Sequence, residues 1–319
     1  MALPILQLKV ASVSQLTSDV IAFRLEHPEG HPLPTFAAGA HIDVHLPGEL
    51  TRQYSLCNHP SDSDHFLIAV KREPNSRGGS RAMHDIRPGS VVSIGPPRNS
   101  FPISRDAQFH LLLAGGIGIT PLLSMARDLR RRKKPFQLEY FGRSVESTPF
   151  YRVISDELEA EVRFHVGLEP TDVNSRLTGI LHYRPEDAHV YVCGPSPFIT
   201  MATEIASQNW PEESVHLEHF APQPTIGQSE NQPFHLKLAQ SGRELDVPAH
   251  KSILEVLRDN RIECDSSCGE GTCGSCMVAV LEGEVEHRDS FLSAKEKEQG
   301  DVMMLCVSRA KTKNLTIDL

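Results

Sequence analysis

The chain has 319 residues, of which 39% are hydrophobic and 23% charged, and its formal net charge is −9. This length exceeds what one hydrophobic core usually organises, so we expect a soluble globular protein of two or three domains. The negative charge excludes nucleic acid as an expected partner, because phosphate binding needs a basic surface. The opening MALPILQLKV is too short an apolar run for a secretory signal, and no stretch of the sequence is long enough to span a bilayer. The sequence therefore predicts a cytoplasmic protein with reduced thiols and no membrane partner.

Residues 1–103 predict a small antiparallel β-barrel. Short runs with the alternation of strands are separated by turn residues, and no long helical period interrupts them. These runs are LQLKVASV, DVIAFRLEH, HIDVHLPG, HFLIAVKRE and SVVSIGPP.

Residues 107–221 predict an α/β domain with a parallel sheet. The apolar run FHLLLAG is followed by a glycine-rich turn and a helical stretch, and FQLEYFG, VRFHVGL and HVYVCG recur as strands between further segments. In AGGIGITP, Thr120 suits a helix N-cap and Pro121 the first helical position, so this helix would point its N-terminus at a phosphate. The pattern G-G-x-G departs from the G-x-G-x-x-G dinucleotide fingerprint, so it is weak evidence by itself.

The last part of the chain predicts a proline-containing linker over residues 222–231 and a small α+β domain over residues 232–319. Two alternating strands, FHLKLA and RELDVPA, precede the helical SILEVLRDN, and VMMLCVSRA and NLTIDL have the composition of closing strands.

The stretch CDSSCGEGTCGSCM holds four of the seven cysteines. Structural zinc usually needs two close cysteine pairs that lie far apart, and a thioredoxin-like C-x-x-C opens a helix instead of sitting among other thiols. The spacing Cys268-x4-Cys273-x2-Cys276 with a distant Cys306 is that of a plant-type [2Fe-2S] cluster. Cys264 falls outside this spacing and is interpreted as a bystander thiol.

Small residues support the cluster interpretation. Four thiolates carry excess negative charge, which backbone N–H groups must stabilise. We expect Gly269, Gly271 and Gly274 to allow positive φ where the loop wraps the sulfurs.

Three motifs, in order, resemble those of one family. RQYSLCN is similar to the R-x-Y-S flavin motif of the ferredoxin-reductase superfamily, and AGGIGITP and YVCGP resemble its nicotinamide-binding motifs. With the cysteine loop at the C-terminus, the whole chain resembles the phthalate dioxygenase reductase family, in particular its vanillate O-demethylase reductases. The resemblance implies an FMN-binding barrel, an NAD(P)H-binding α/β domain and a β-grasp ferredoxin domain.

The resemblance also implies a set of flavin-binding residues. Arg52 would pair with the flavin phosphate, Tyr54 would lie against the isoalloxazine and Ser55 would place its hydroxyl near N5. Gly78 and Gly79 would form an anion cradle, although a solvated turn would have the same sequence. The full set is Arg52, Tyr54, Ser55, Leu56, Ala69, Val70, Lys71, Gly78, Gly79 and Ser80.

On the nicotinamide side, the resemblance implies Gly115, Gly116, Gly118, Thr120, Cys193, Gly194 and Pro195. Cys193 would lie beside the nicotinamide ring, and the alternative is an ordinary buried thiol. Phe220 would end the last strand and cover the flavin until nicotinamide displaces it, and the alternative is a hydrophobic plug. Ser55, Cys193 and Phe220 are thus the expected catalytic residues.

The function implied is the reductase component of a multicomponent oxygenase. Electrons would pass from NADH through FMN and a [2Fe-2S] cluster to a Rieske-type oxygenase that hydroxylates or O-demethylates an aromatic substrate. Arg143 lies where it could accept the 2′-phosphate of NADPH, but the resemblance favours NADH. A monomer is expected.

Other functions fit the same sequence. A reductase for a cytochrome P450 or for a carnitine-type monooxygenase would differ only in its partner. An iron–sulfur redox sensor and a zinc-binding interaction module belong to other classes of protein.

Overall fold

The structure is a computed structural model that describes residues 5–48, 50–74, 76, 78–221 and 231–319. The chain divides into two compact units, of which one ends at Glu218 and the other begins at His219. The first unit contains an antiparallel and a parallel sheet, and the second contains a mixed sheet. The predicted fold class is thereby confirmed. The predicted linker lies outside the described residues except for Asn231, and the predicted domain boundaries stay predictions.

The antiparallel sheet is a nearly closed barrel. Its strands are β1 (Leu6–Gln15), β2 (Val20–Glu26), β3 (His41–Leu46), β4 (Leu50–Ser55), β5 (Phe66–Lys71) and β6 (Val91–Ile94), and helix α1 (Gly79–Asp85) follows β5. The strand order is β4-β3-β6-β1-β2-β5. An isolated bridge between Leu56 and Ile68 joins the end of β4 to β5, so the two edges of the sheet meet there. Alternate side chains such as Leu8, Phe23 and Ile42 are fully buried inside.

The second sheet is parallel and carries helices on both faces. Its strands are β7 (Phe109–Gly115), β8 (Phe136–Gly142), β9 (Val162–Val166), β10 (Ala188–Cys193) and β11 (Val215–Glu218), and its helices are α2 (Ile119–Arg131), α3 (Tyr151–Leu158), α4 (Pro170–His182) and α5 (Ser196–Ala206). The strand order β11-β10-β7-β8-β9 reverses direction on either side of β7. Such a reversal opens a crevice at the carboxyl ends of the strands, where ligands bind.

The continuous apolar runs follow from burial on both faces. Leu112 and Leu138 pack in the same cluster as the side chains of α2 and α3. Leu111 and Val190 pack with α4 and α5 on the opposite face. The sheet therefore separates two hydrophobic cores.

The second unit wraps a five-stranded mixed sheet around one helix. Its elements are β12 (Phe234–Leu238), β13 (Glu244–Val247), α6 (Ile253–Asp259), β14 (Met277–Glu282), β15 (Val285–Glu286), α7 (Ala294–Gln299), β16 (Val302–Met304), β17 (Arg309–Ala310) and β18 (Asn314–Ile317). The order is β13-β12-β18-β14-β16, with a separate β15-β17 pair. Ile253 and Leu257 of α6 are fully buried against this sheet. A capping box formed by Ser252 and Glu255 begins the helix.

Among the described residues, no helix is both long and apolar enough to cross a membrane.

Candidate functional site

Two glycine turns meet at the carboxyl edge of the parallel sheet. Cys193 pairs with Ala114 in the register of β10 and β7, so the turns that follow these strands are adjacent. A Cβ atom on Gly118 would lie 2.2 Å from the carbonyl oxygen of Cys193, and one on Gly194 would lie 3.0 Å from the Cα of Gly115. These positions need glycine because the two backbones touch, which leaves peptide groups instead of side chains around the crevice.

The helix after the first turn begins earlier than the sequence predicted. A 3-10 turn at Gly116–Gly118 runs directly into α2, which starts at Ile119 with Gly118 as its N-cap. The prediction of Thr120 as N-cap and Pro121 as first helical residue is wrong, because both lie inside the first helical turn. The buried Thr120 hydroxyl instead donates to the carbonyl of Ile117 at 3.1 Å.

Ser55, Cys193 and Glu218 come together although they are distant in sequence. Each is the last residue of its strand, and Cys193 is paired with Glu218 in the register of β10 and β11. The Ser55 hydroxyl donates to Oε2 of Glu218 at 3.5 Å. The two predicted catalytic residues Ser55 and Cys193 therefore flank a carboxyl group that no sequence motif predicts.

Burial is the main cause of the raised pKa values of Glu218 and Cys193. Glu218 is half-buried as a residue, but protein atoms surround its carboxyl group, and this burial raises the pKa of Glu218 to about 8 despite the hydrogen bond from Ser55. Burial, with the neighbouring Glu218, likewise raises the pKa of Cys193 well above its ordinary value. Near neutral pH both groups are therefore protonated and uncharged.

The predicted phosphate-binding residues of the barrel lie together. Arg52 on β4 packs against the start of α1, where a Cβ atom on Gly79 would lie 2.6 Å from its Cγ and 2.7 Å from its Nε. Gly78 precedes the helix with φ of 102°, a conformation that favours glycine. The missing Cβ atoms leave room for the Arg52 side chain at the turn, so the arrangement fits an anion held between a guanidinium group and backbone amides.

The other predicted flavin residues do not share one face of the barrel. Leu56 and Val70 pack in its interior, whereas Ala69 packs in the cluster that holds the side chains of α2. Burial raises the pKa of Tyr54, so its phenol is a neutral surface. Leu56 bridges to β5, whose Ala69 and Val70 are buried. Lys71 forms an ion pair with Glu73 at 2.9 Å. Ser80 accepts a hydrogen bond from the backbone amide of Glu73 at 3.1 Å.

The sequence predicted that Phe220 ends the last strand of the parallel sheet. This prediction is wrong. Strand β11 stops at Glu218, because the strand pairing with β10 ends there. Phe220 belongs to the second unit, and its side chain is 41% exposed. Its predicted role of covering the flavin stays a prediction.

The four predicted cluster ligands converge in the second unit. The thiol of Cys268 interacts with those of Cys273 and Cys306, and Cys276 interacts with Cys306. Hydrogen bonding from Cys273 and Cys306 lowers the pKa of Cys268, which favours its thiolate. Antiparallel pairing of Met277 with Met304 brings the end of the loop to β16 and explains how a distant cysteine reaches the other three.

The cysteine loop supplies donors to its sulfurs. The backbone amides of Glu270 and Ser275 donate to Cys268 Sγ at 3.3 Å and to Cys273 Sγ at 3.5 Å. Gly271 and Gly274 have φ of 72° and 74°, and Gly269 is also positive, as predicted. A Cβ atom on Gly274 would lie 2.4 Å from the ring of Phe291. Four adjacent thiols with amide donors fit a [2Fe-2S] cluster.

Comparison with known proteins gives the same assignments. Residues 236–311 match the 2Fe-2S iron-sulfur cluster binding domain, and residues 7–102 match the oxidoreductase FAD-binding domain. Phthalate dioxygenase reductase of Burkholderia cepacia is 42% identical over 98% of this chain and 97% of its own length. The chain belongs to the phthalate dioxygenase reductase family.

Other members of the phthalate dioxygenase reductase family extend the match. Vanillate O-demethylase oxidoreductase of Acinetobacter baylyi is 41% identical over 97% of this chain and 98% of its own length. A solved structure of phthalate dioxygenase reductase, 41% identical, covers 99% of this chain and 98% of its own, with a TM-score of 0.74. The chain is an oxidoreductase with a flavin-binding and a [2Fe-2S] domain, as predicted.

Proposed function

We propose that this protein is the reductase component of an oxygenase system, carrying electrons from NADH through FMN and a [2Fe-2S] cluster to a Rieske-type oxygenase that acts on an aromatic substrate. The proposal rests mainly on the contact among Ser55, Cys193 and Glu218. This contact joins the end of a barrel strand to the carboxyl edge of the parallel sheet, where flavin and nicotinamide would meet. The relatives whose names specify phthalate dioxygenase and vanillate O-demethylase support the choice of partner.

The barrel would hold the flavin by its phosphate and its ring. Arg52 would pair with the phosphate beside the Gly78–Gly79 turn, and Tyr54 would cover one face of the ring system. When bound, FMN accepts a hydride from NADH and releases electrons singly, which matches a two-electron donor to a one-electron cluster.

Ser55, Cys193 and Glu218, at the ends of their strands, would exclude water from the reacting face of the flavin and keep charge away from it. Because Glu218 and Cys193 are both uncharged near neutral pH, neither places an anion beside the flavin. The Ser55 hydroxyl, whose proton is directed to Glu218, would keep its oxygen lone pairs free to accept a hydrogen bond at the edge of the ring. No side chain has to act as a general acid or base.

The nicotinamide dinucleotide would lie along the crevice beside the backbone of the 115–118 and 193–195 turns. Arg143 follows β8 at the same edge of the sheet and is exposed, without an ion pair or side-chain hydrogen bond to any residue that the structure describes. It could therefore accept a 2′-phosphate. NADH is nevertheless the proposed donor, because the family resemblance favours it, and kcat/KM for the two dinucleotides decides between them.

The second unit would present the cluster to the oxygenase. From Gln232 onward it has 15 acidic against 11 basic residues, which suits a basic docking face on the partner. All seven cysteines are free, which supports a reducing, cytoplasmic setting. A monomer is part of the proposal.

The test is steady-state electron transfer by the purified holoprotein. NADH should drive many turnovers of cytochrome c reduction and, with a Rieske oxygenase of the phthalate or vanillate type, formation of hydroxylated or demethylated product. A single slow equivalent of reduction would favour a redox sensor, and a colourless protein would favour zinc. Faster transfer to a P450 than to any Rieske oxygenase would replace the partner but retain the reductase.

A further inference from the structure

A wide cleft opens on the α4–α5 face of the parallel sheet. Leu177 and Leu181 are the buried residues of helix α4, and they pack in the same core as the side chains of α5. Phe141 at the end of β8 packs against Phe198 of α5, whereas Gln137, Glu139 and Arg163 on β8 and β9 face the cleft. The cavity has a volume of about 780 Å³. This value lies within the range of about 300–1,000 Å³ that is typical of small-molecule sites.

The cleft runs along the face of the sheet: Leu168 and Asp172 of its lining follow the carboxyl end of β9, but the part beside Gly179 lies toward the opposite edge from the nicotinamide crevice. Its lining reaches Phe109 at the start of β7, as well as Tyr183 and Pro185 just before β10. These residues mark the amino ends of the strands, whereas the glycine turns follow the carboxyl ends. A ligand here would therefore occupy a second site.

One part of the lining is apolar and aromatic. Leu111 and Trp210 are buried at the base, and Ile180 of α4 is half-buried beside them. Tyr183 leaves 74% of its surface exposed at the rim and makes no hydrogen bond or ring contact with any described residue. Exposed aromatic surface beside a buried apolar base suits a planar apolar ligand.

The sheet wall carries a buried acid whose charge is already compensated. Glu139 is 1% exposed, and its Oε1 accepts from Arg163 at 3.2 Å. Its Oε2 accepts a hydrogen bond from Nε2 of His165. Both carboxylate oxygens are therefore occupied, and the positive charge of Arg163, whose side chain is 68% exposed, is balanced in this pair.

The helix wall carries a cation that is not compensated. Arg176 lines the cleft and forms no ion pair or hydrogen bond with its side chain in the part of the chain that the structure describes. Asp172 lies one turn earlier, but beyond the distance of an ion pair, in the first turn of α4, where the helix dipole favours an acid. The guanidinium group of Arg176 is thus available to a carboxylate from outside.

A glycine keeps the space in front of this wall open. Gly179 lies inside α4, where glycine costs helix stability relative to alanine. A Cβ atom there would have no atom within 4 Å, so packing in the protein does not require glycine. The missing side chain leaves flat backbone facing the cleft beside Arg176, a surface against which a ring can lie.

We propose that this cleft is a binding site for a small aromatic carboxylate, whose ring lies between the backbone at Gly179 and the apolar base and whose carboxylate pairs with Arg176. The arrangement of apolar base, open flat wall and unpaired guanidinium group is what selects both parts of such a ligand. The site goes beyond the electron-transfer function and shares none of the residues assigned to that function.

The chain offers a direct readout of binding. Trp210 is its single tryptophan and lines the cleft, so occupancy should change tryptophan fluorescence. Benzoate added to the holoprotein should give a saturable change, whereas cyclohexanecarboxylate, which lacks the flat ring, and benzyl alcohol, which lacks the charge, should bind at least about tenfold more weakly. AMP should not compete with benzoate, because the adenosine part of the dinucleotide would occupy the other edge of the sheet.

Two variants with matched controls complete the test. Arg176→Ala should weaken benzoate binding at least about tenfold, as loss of a charge-assisted hydrogen bond does, whereas Arg152→Ala on the opposite face should not. Gly179→Leu should abolish binding by occupying the space proposed for the ring, whereas Thr178→Leu, on the same helix but outside the lining, should not. NADH-dependent cytochrome c reduction should be unchanged in all four.

Several outcomes would overturn the proposal. They are a linear, non-saturating response to benzoate, equal affinity for the three probes, competition by AMP, or unchanged benzoate binding in Arg176→Ala. Since cytochrome c reduction is measured separately, loss of this site and failure of the reductase function give different results.

Discussion

The hydroxyl of Ser55 donates a long hydrogen bond of 3.5 Å to Oε2 of Glu218, across a separation of 163 residues. Ser55 ends a strand of the barrel and Glu218 ends the edge strand of the parallel sheet. The contact therefore connects the two halves of the first unit at the place where flavin and nicotinamide would meet. Burial favours the protonated form of the Glu218 carboxyl group. The contribution of Glu218 to the stability of the fold therefore depends on pH.

Glu218→Gln should make the free energy of unfolding less dependent on pH. The ordinary glutamate pKa of 4.5 is raised to about 8 in the folded protein. Between these values the unfolded chain loses its proton while the folded chain keeps it, so the free energy of unfolding falls as pH rises. The variant lacks this fall, and its stability relative to the wild type should increase from pH 5 to pH 8.

Urea unfolding of the first unit, followed by Trp210 fluorescence at several pH values, measures this difference. Ser55→Ala serves as the companion variant, because loss of its hydrogen bond should raise the pKa of Glu218 further. If wild type and Glu218→Gln keep the same difference in unfolding free energy over this range, the carboxyl is not buried as described.

Arg52→Ala should weaken FMN binding by about 10- to 100-fold, the loss for one or more hydrogen bonds from a charged group. Arg52→Lys should restore only part of the affinity, because an ammonium group cannot make the bidentate contact. Gly79→Ala should weaken binding as well, since the new methyl group would displace the Arg52 side chain. Flavin fluorescence during titration of the apoprotein reports all three, and unchanged affinity in Arg52→Ala would remove this residue from the phosphate site.

Gly118→Ala should damage the nicotinamide site specifically. The added Cβ atom would lie 2.2 Å from the Cys193 carbonyl, so the two turns must separate. We expect KM for NADH to rise at least about tenfold while FMN remains bound. Gly179→Ala is the matched control, because its methyl group meets no atom within 4 Å and should raise helix stability. Equal KM values for the two variants would contradict the assigned crevice.

The parts of the site that the sequence predicted are those with a local pattern. The cysteine spacing and the glycines of the loop are set by the geometry of one short segment, so both appear in the sequence. Glu218 was missed because it acquires its meaning only from pairing with Cys193 and from Ser55, both distant in sequence. A charged residue at the carboxyl end of the last parallel strand was the available signal. Thr120 was misplaced because cap propensity does not reveal a preceding 3-10 turn.

Cys306→Ser should separate the two redox functions. Cys306 contacts Cys268 and Cys276, so its loss removes one of four cluster ligands. The residues proposed to bind flavin and nicotinamide belong to the other unit apart from Phe220, and flavin reduction by NADH should therefore stay close to that of wild type. The visible absorbance and EPR signal of the cluster should disappear, and transfer to the oxygenase should stop.

Cys264→Ser is the control for this variant. Cys264 is half-buried in the same loop, and burial raises its pKa, which keeps it a neutral thiol. The cluster signal and electron transfer should both persist in this variant. An intact EPR signal in Cys306→Ser, or its loss in Cys264→Ser, would show that the fourth ligand has been assigned to the wrong cysteine.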